Sequence, residues 1–527
     1  MADSLKNLFG KYDWTTDMKI FVAGFIWLNE KCIFGKEFLE LISRHTQRFD
    51  DFKKLAGQLN GHYSVFVEMP AEKWAVCSHT WSFPLFYRNT GNAIHISDNP
   101  EKLLNEESKL QSSSLSRNYF LTFGVTPANT TLIQNIFQIL PGELIRFRGD
   151  KKESFRLFPY TEKYRKEDEK SFDEKEFYNL LFEVFQRYSN HIKEKQVLLP
   201  LTRGYDSRVL GCLLKEFGHR RVICATWGRN RNNEVRTAEK VAERLGYKHF
   251  FIDYSKEVPK DFTRVKEFEP YIHFTGHFSS MPFLQDYFAI KSLKERKIID
   301  SQTVVLPGHP GDLLRGSHLD NHLLLKSEKY AISKIISSFG TSYPLACSEI
   351  KELEEFISQT FFSSPQTPAW MQYDEWDYQE RQCKFIGNST LAFSFFETEV
   401  LMPLFDMELL KFFRSVPFSL KLGSPLYNQT LETIFEKHKV AFDLKIPQTD
   451  GQKFSPLKNL ILRNTPHFLK KRYYPMEDSI YYQEITREIR NSDKTFGYKI
   501  PFKPNNYNSY IIQWYLQFVE QQISAKK

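Results

Sequence analysis

The stretch VLLPLTRGYDSRVLGCLLKEFG, residues 197–218, constrains the fold of this chain more than any other. An apolar run of strand character stops at a Gly-Tyr-Asp-Ser turn, and an apolar-periodic helical segment follows at once. Strand, tight turn and helix together aim backbone N–H groups and a helix N-terminus at an anion. The alternation then continues. RVICATW reads as a strand, NNEVRTAEKVAERLG as a helix stopped by its glycine, and HFFID as the next strand. Strands alternating with helices predict a parallel sheet covered on both faces. In such a sheet ligands bind beyond the carboxyl ends of the strands.

Two loops fall at such ends. One is 202–207; the other is VVLPGHPGDLLRGSH, 304–318, which follows a later apolar strand. Each carries a carboxylate, Asp206 and Asp312, and hard oxygen ligands on separate loops suit Mg²⁺ held against a polyphosphate. Asp and Gly are also the commonest turn pair, so either loop alone reads equally well as a plain turn. Their occurrence in order at two strand ends favours a site. Arg203 stands where a phosphate loop usually has glycine; it either points away or itself contacts a phosphate.

The 527 residues require two or three domains. Up to about residue 158 the chain shows short β-type runs, such as KIFVAGFIW, HYSVFVEM and GELIRFR, interrupted by one helical stretch at about 36–58. YTEKYRKEDEKSFDEKE is dense in both charges and marks the boundary, as a linker or the solvated start of a helix. The expected domains are 1–160, a charged linker 161–180, and 181–527, which turns mostly helical and aromatic-rich after residue 320. The net charge of +8 is spread along the chain, too modest to argue for nucleic acid. The six cysteines are scattered without a C-x-x-C pair, as in a reducing compartment. The first apolar run, KIFVAGFIWL, is too short to span a membrane, so a cytoplasmic protein is expected.

The motifs become more specific when taken in order. LPLTRGYDSRVL resembles the pyrophosphate loop S-G-G-x-D-S of the asparagine synthetase and β-lactam synthetase superfamily. LPGHPGDLLRGS resembles its second signature, and EVLMPLFD (399–406) its E-x-R-x-P-F-L-D segment, with Glu399, Pro403 and Asp406 matching. LNGHYSVFV, PLFYRNTGNAIHISDNPEKLL and YFLTFGVTPANTTLIQNIFQILPGELIRF resemble successive segments of the glutaminase-type domain of the same enzymes. The resemblance runs in order over roughly residues 19–460.

It implies an N-terminal Ntn-hydrolase-like αββα sandwich, then a Rossmann-like (HUP-type) pyrophosphate-loop synthetase domain with a helical C-terminal part. ATP would be held by Thr202, Arg203, Gly204, Asp206, Ser207, Gly308 and Gly311, and Mg²⁺ by Asp206 and Asp312. His309 and Glu399 are candidates for handling the nucleophile's proton. Lys453, with Lys445 in reserve, is the candidate for neutralising the departing pyrophosphate. Residue 2 is Ala where glutamine-hydrolysing members have a nucleophilic Cys, and SHTWSFPLFY replaces their D-R-x-G segment, so glutaminase activity is expected to be lost.

The implied reaction is AMP- and pyrophosphate-forming amide synthesis from a small-molecule carboxylate and ammonia or an amine. Nitrogen would come from free ammonia, a separate ammonia-supplying subunit, or the substrate's own amine; a homodimer is an allowed assembly. Asparagine biosynthesis, amidation of a uronic acid in bacterial surface polysaccharide, intramolecular cyclisation as in β-lactam synthetases and lasso-peptide cyclases, and an inactive scaffold all remain open. Sulfurtransfer or tRNA modification would want a reactive Cys pair or a nucleic-acid module, and neither is apparent.

Overall fold

Two apolar patterns produce two kinds of sheet. The computed structural model describes residues 12–91, 93–111, 113–149, 151–158, 172–229, 233–325, 327–341, 343–442, 482–496 and 506–525. In the first part the strands are β1 (Thr15–Thr16), β2 (Ile20–Leu28), β3 (Lys31–Phe34), β4 (Asn60–Glu68), β5 (Lys73–Cys77), β6 (Phe86–Asn89), β7 (Ile94–Ser97), β8 (Ile136–Gln138), β9 (Glu143–Arg148) and β10 (Lys151–Arg156). Among the described residues β1-β2-β4-β5-β9-β10 form one antiparallel sheet, with β3 also paired to β2, and β7-β6-β8 form another. The helical stretch expected at 36–58 is two helices, α1 (Gly35–Ser43) and α2 (Phe49–Ala56), and α3 (Ser114–Phe123) follows later in this part. The break falls before Arg48, which is extended at φ −137° and ψ 142°. Phe38, Ile42, Phe49 and Phe52 of these helices pack on Val22, Val65 and Trp74 of the large sheet. Alternate residues of the same strands, Phe21, Phe25 and Phe66, face the opposite way and merge with the core of the second part.

The second part opens with α4 (Glu174–Ile192), whose Asp173 side chain caps the N–H of Glu176. The last residues of the charged segment are thus helical. Next come β11 (Val197–Pro200), α5 (Tyr205–Glu216), β12 (Val222–Gly228), α6 (Asn233–Leu245), β13 (Lys248–Asp253), β14 (Val304–Val305) and β15 (Glu399–Val400). The five strands are parallel, in the order β13-β12-β11-β14-β15. Strand order reverses between β11 and β14, and a crevice opens at such a reversal. The pairing Val197↔Val304 and Leu198↔Val305 brings the loops after these two strands side by side.

Most of the remaining described chain is helical, including an eleven-residue π-helix at Asp377–Gly387, a form that appears mostly as single turns near functional sites. Among the described residues no helix is long and apolar enough to cross a membrane. The two parts are joined by polar contacts. Asn60 donates to Asp406 at 3.0 Å, the imidazole of His79 meets the carbonyl of Phe405 at 2.9 Å, and Tyr378 donates to the carbonyl of His79 at 2.7 Å.

Candidate active site

A cavity of about 400 Å³ lies beyond the carboxyl ends of β11, β12 and β14. Thr202, Gly204 and Ser207 line it from the first loop, and Gly308, His309 and Asp312 from the second. The first loop folds back on itself. The Thr202 N–H donates to Ser207 Oγ at 3.0 Å, and the Gly204 N–H donates to Thr202 Oγ1 at 3.1 Å. Gly204 is the N-cap of α5, and no side chain caps the helix. The N–H groups of its first turn therefore lack intrahelical partners at the cavity rim, where an anion binds most readily.

Arg203 does not line the cavity. Its backbone is held from beneath by Arg208, which is fully buried and donates to the Arg203 carbonyl at 2.6 Å and the Val440 carbonyl at 2.9 Å. The Arg208 guanidinium lies 5.5 Å from the Phe435 ring and 5.7 Å from the Phe442 ring. A large residue is accommodated at 203 because the loop needs only its backbone.

The two carboxylates are close enough to couple. Burial, reinforced by the negative charge of Asp312, raises the pKa of Asp206. Tyr427 donates to Asp206 Oδ1 at 2.8 Å. Burial also works against charge on Asp312, but Arg315 and Arg381 outweigh it and hold that pKa low. Arg315 Nη2 is 2.6 Å from Asp312 Oδ1, and Arg381 Nη2 is 3.9 Å from Oδ2. Glycine is required where the loops touch: a Cβ at Gly311 would collide with the Asp206 carboxylate, and one at Gly308 would lie 3.0 Å from the Ser207 nitrogen. Gly311 thus serves by packing and does not line the cavity.

His309 lies on the wall, with its pKa lowered by burial to about 4. Its imidazole is neutral at pH 7 and a weaker base than the sequence suggested. Glu399 is placed elsewhere. It starts β15 level with Val304, before the strand end, and accepts from Tyr12 at 2.6 Å and Lys195 at 2.7 Å, with His191 at 2.8 Å. Its carboxylate joins α4 to the sheet, so the structure does not bring it to the nucleophile's side of the cavity. Asp406 is likewise structural, pairing with Arg187 at 2.9 Å. Lys445 and Lys453 lie outside the described residues.

Sequence reasoning missed Asp286, Gln285, Arg381 and Tyr427, which arrive from distant helices. Arg315 stood in the quoted GDLLRGS, three residues after Asp312, and helical spacing identifies it as that residue's partner. Asp286 lines the cavity, and burial raises its pKa to about 7.

A parallel sheet with two carboxylates and an open helix N-terminus at its switch point has the arrangement in which open α/β folds bind nucleotides and other ligands. Residues 192–438 match the family model of asparagine synthase, which supports a place for this domain in the asparagine synthetase-like superfamily. No curated protein matches the chain. Among solved structures it is similar to the glutamine phosphoribosylpyrophosphate amidotransferase of B. subtilis complexed with ADP and GMP, at 13% identity over 46% of this chain and 72% of that one, TM-score 0.19. It is also similar to the NH3-dependent NAD synthetase of Campylobacter jejuni, at 14% identity over 51% of this chain and 97% of that one, TM-score 0.21. The NMN synthetase of Francisella tularensis gives 12% identity over 51% and 97%, TM-score 0.20. Superpositions at these scores do not define a fold, and the architecture rests on the strand order itself.

Proposed function

We propose that the chain is an amide synthetase that adenylates a carboxylate with ATP and passes the acyl group to ammonia or an amine. One observation carries this reading: the uncapped N-terminus of α5 and the carboxylates of Asp206 and Asp312 face a single cavity at the switch point. The loop 202–207 would grip the β- and γ-phosphates through backbone N–H groups and the hydroxyls of Thr202 and Ser207, leaving the α-phosphorus open to attack. The substrate carboxylate attacks there, pyrophosphate leaves, and the amine then displaces AMP from the acyl-adenylate.

The residues present fit Mg²⁺. No group of three metal-binding side chains exists among the described residues, whereas Mg²⁺ with a nucleotide usually takes one or two carboxylates and completes its shell with phosphate oxygens and water. Asp206 and Asp312 would hold it; burial first, and the charge of Asp312 second, raise the pKa of Asp206, and a bound cation would favour its ionised form. Bound, the ion neutralises charge developing on the phosphates. An anionic nucleotide beside His309 would also raise that residue's depressed pKa, making the imidazole a better proton acceptor once ATP is in place.

Glutamine hydrolysis forms no part of this reading. Among the described residues no cysteine lines either of these two cavities, and burial pushes the thiols of Cys77, Cys212 and Cys224 up to about 12. Nitrogen therefore comes as free ammonia, from a partner subunit, or on the substrate itself, and the enzyme works in the cytoplasm. Product analysis tests the proposal. With an acid, an amine and ATP–Mg²⁺, AMP and pyrophosphate must accumulate together; ADP and phosphate would overturn it.

A further inference from the structure

A second cavity, of about 300 Å³, shares Phe283, Gln285, Ile386 and Tyr482 with the wall of the first. Phe123 and Val125 close it from the N-terminal part, and Phe339, Trp376 and Phe385 from the helices beyond residue 320. Aromatic rings thus form much of one wall, and Thr341, Asn506 and Asn508 add polar groups. Its polar centre is Arg381, on the π-helix, whose guanidinium lies 4.5 Å from the Phe339 ring. Arg381 Nη1 is 3.3 Å from Asp377, and Nη2 is 3.9 Å from Asp312 of the first cavity, so one side chain reaches both spaces. Glu380 also lines the second cavity, but its charge is cancelled: Lys384 donates to it at 2.8 Å, and both side chains are fully buried. On the shared wall the buried Gln285 Oε1 has no hydrogen-bond partner.

We propose that this second cavity holds the acid to be activated, and that the acid is a carboxylate carried on a ring. The proposal rests on reading the first cavity as the ATP site. A carboxylate on Arg381 sits at the boundary where it must meet the nucleotide, and a planar guanidinium already stacked on a ring is preorganised for it. Aromatic rings, and the apolar C–H face of a sugar ring, pack on aromatic faces, and the volume suits a ligand larger than a small linear acid. Gln285 Oε1 awaits a donor on the shared wall, where the incoming amine brings N–H groups. Aspartate fits poorly. Its ammonium would need a free acidic partner, and Glu380 is taken by Lys384. The N-terminal part acquires a role here, because Phe123 and Val125 wall the pocket.

Calorimetric titration of the full-length protein tests this, with phenylacetate as the aromatic probe, glucuronate as the sugar probe and L-aspartate as the linear one. At least one ring acid should bind saturably and about 10-fold or more tighter than L-aspartate. Which ring acid binds tells an aromatic from a sugar substrate. Ser338→Trp, at the rim of the cavity, should remove that binding while ATP affinity stays within about 2-fold. Arg381→Gln should weaken the acid about 10-fold or more but leave its uncharged amide unaffected. Saturation by neither ring acid up to about 10 mM, equal binding of L-aspartate, or full binding in Ser338→Trp would overturn the proposal. If ATP binds and the ring acids do not, this inference alone fails; if ATP does not bind, the reading of the first cavity fails with it.

Discussion

Arg208 holds Arg203 by its backbone: the guanidinium Nη2 donates to the Arg203 carbonyl at 2.6 Å, while Nη1 reaches the Val440 carbonyl at 2.9 Å. The phosphate-type loop is thereby anchored to the chain just after the helix Pro425–Lys437. Arg203→Gly is expected to bind ATP within about 10-fold of the parent, because the side chain lies outside the cavity. Arg208→Ala should cost about 3 kcal/mol of stability by stranding the carbonyls it serves. ATP titration and denaturant unfolding measure the two effects.

Asp206→Asn and Asp312→Asn should each lower Mg²⁺-dependent AMP formation by about 100-fold or more. Asp206→Asn also removes a carboxylate that burial and Asp312 make costly to ionise, so the protein without ligand should be about 1 kcal/mol more stable at pH 8. Activity near the parent's in either variant would refute the metal assignment.

Gly311 and Gly204 should behave oppositely. A methyl at Gly311 meets the Asp206 carboxylate, whereas one at Gly204 meets only the Thr202 hydroxyl at 3.2 Å, with a backbone any residue adopts. Gly311→Ala is expected to lose about 2 kcal/mol and most of its activity, and Gly204→Ala less than about 1 kcal/mol. Thermal unfolding and AMP release separate them.

Three histidines with depressed pKa values should make the protein acid-labile. Burial lowers His62 to about 3, and His79 and His309 to about 4. Between these values and the ordinary 6.5, the unfolded chain takes up protons that the folded one refuses, so stability falls as pH drops from about 6.5 towards 4. Replacing His79 by Gln should flatten that slope in urea unfolding measured at pH 7 and pH 5.

Asp286 works in the opposite direction. Its pKa is raised by burial to about 7, so from about pH 4 upward the unfolded chain ionises this carboxyl while the folded one keeps its proton, and stability falls as pH rises from about 4 to 7. Asp286→Asn should therefore stabilise the protein more at pH 8 than at pH 5, by a difference of about 1–2 kcal/mol. An equal effect at both pH values would show that Asp286 does not titrate there.

The strand–helix alternation after residue 196 was legible because apolar period and glycine stops are local signals, and β11, α5, β12, α6 and β13 lie where they point. The two strand-end loops were legible for the same reason. The break between α1 and α2 was not, since a short polar segment reads equally well as a continued helix or a turn. Residues such as Arg381 and Gln285 carried no local signal. They lie on helices whose polar positions resemble solvated faces until packing turns them towards a cavity.

The order of residues alone determined the parallel sheet and the placing of Asp206 and Asp312 on two strand-end loops, and the family resemblance it showed is supported over residues 192–438. The tertiary structure decided which side of each motif is used. Glu399 matches its motif yet is spent on Lys195 and Tyr12, and Arg203 interrupts its motif yet leaves the cavity clear. Motif spacing records where the backbone goes. The direction and charge of a side chain depend on partners distant in sequence: Arg208 under the loop, Tyr427 on Asp206, and Lys195 on Glu399.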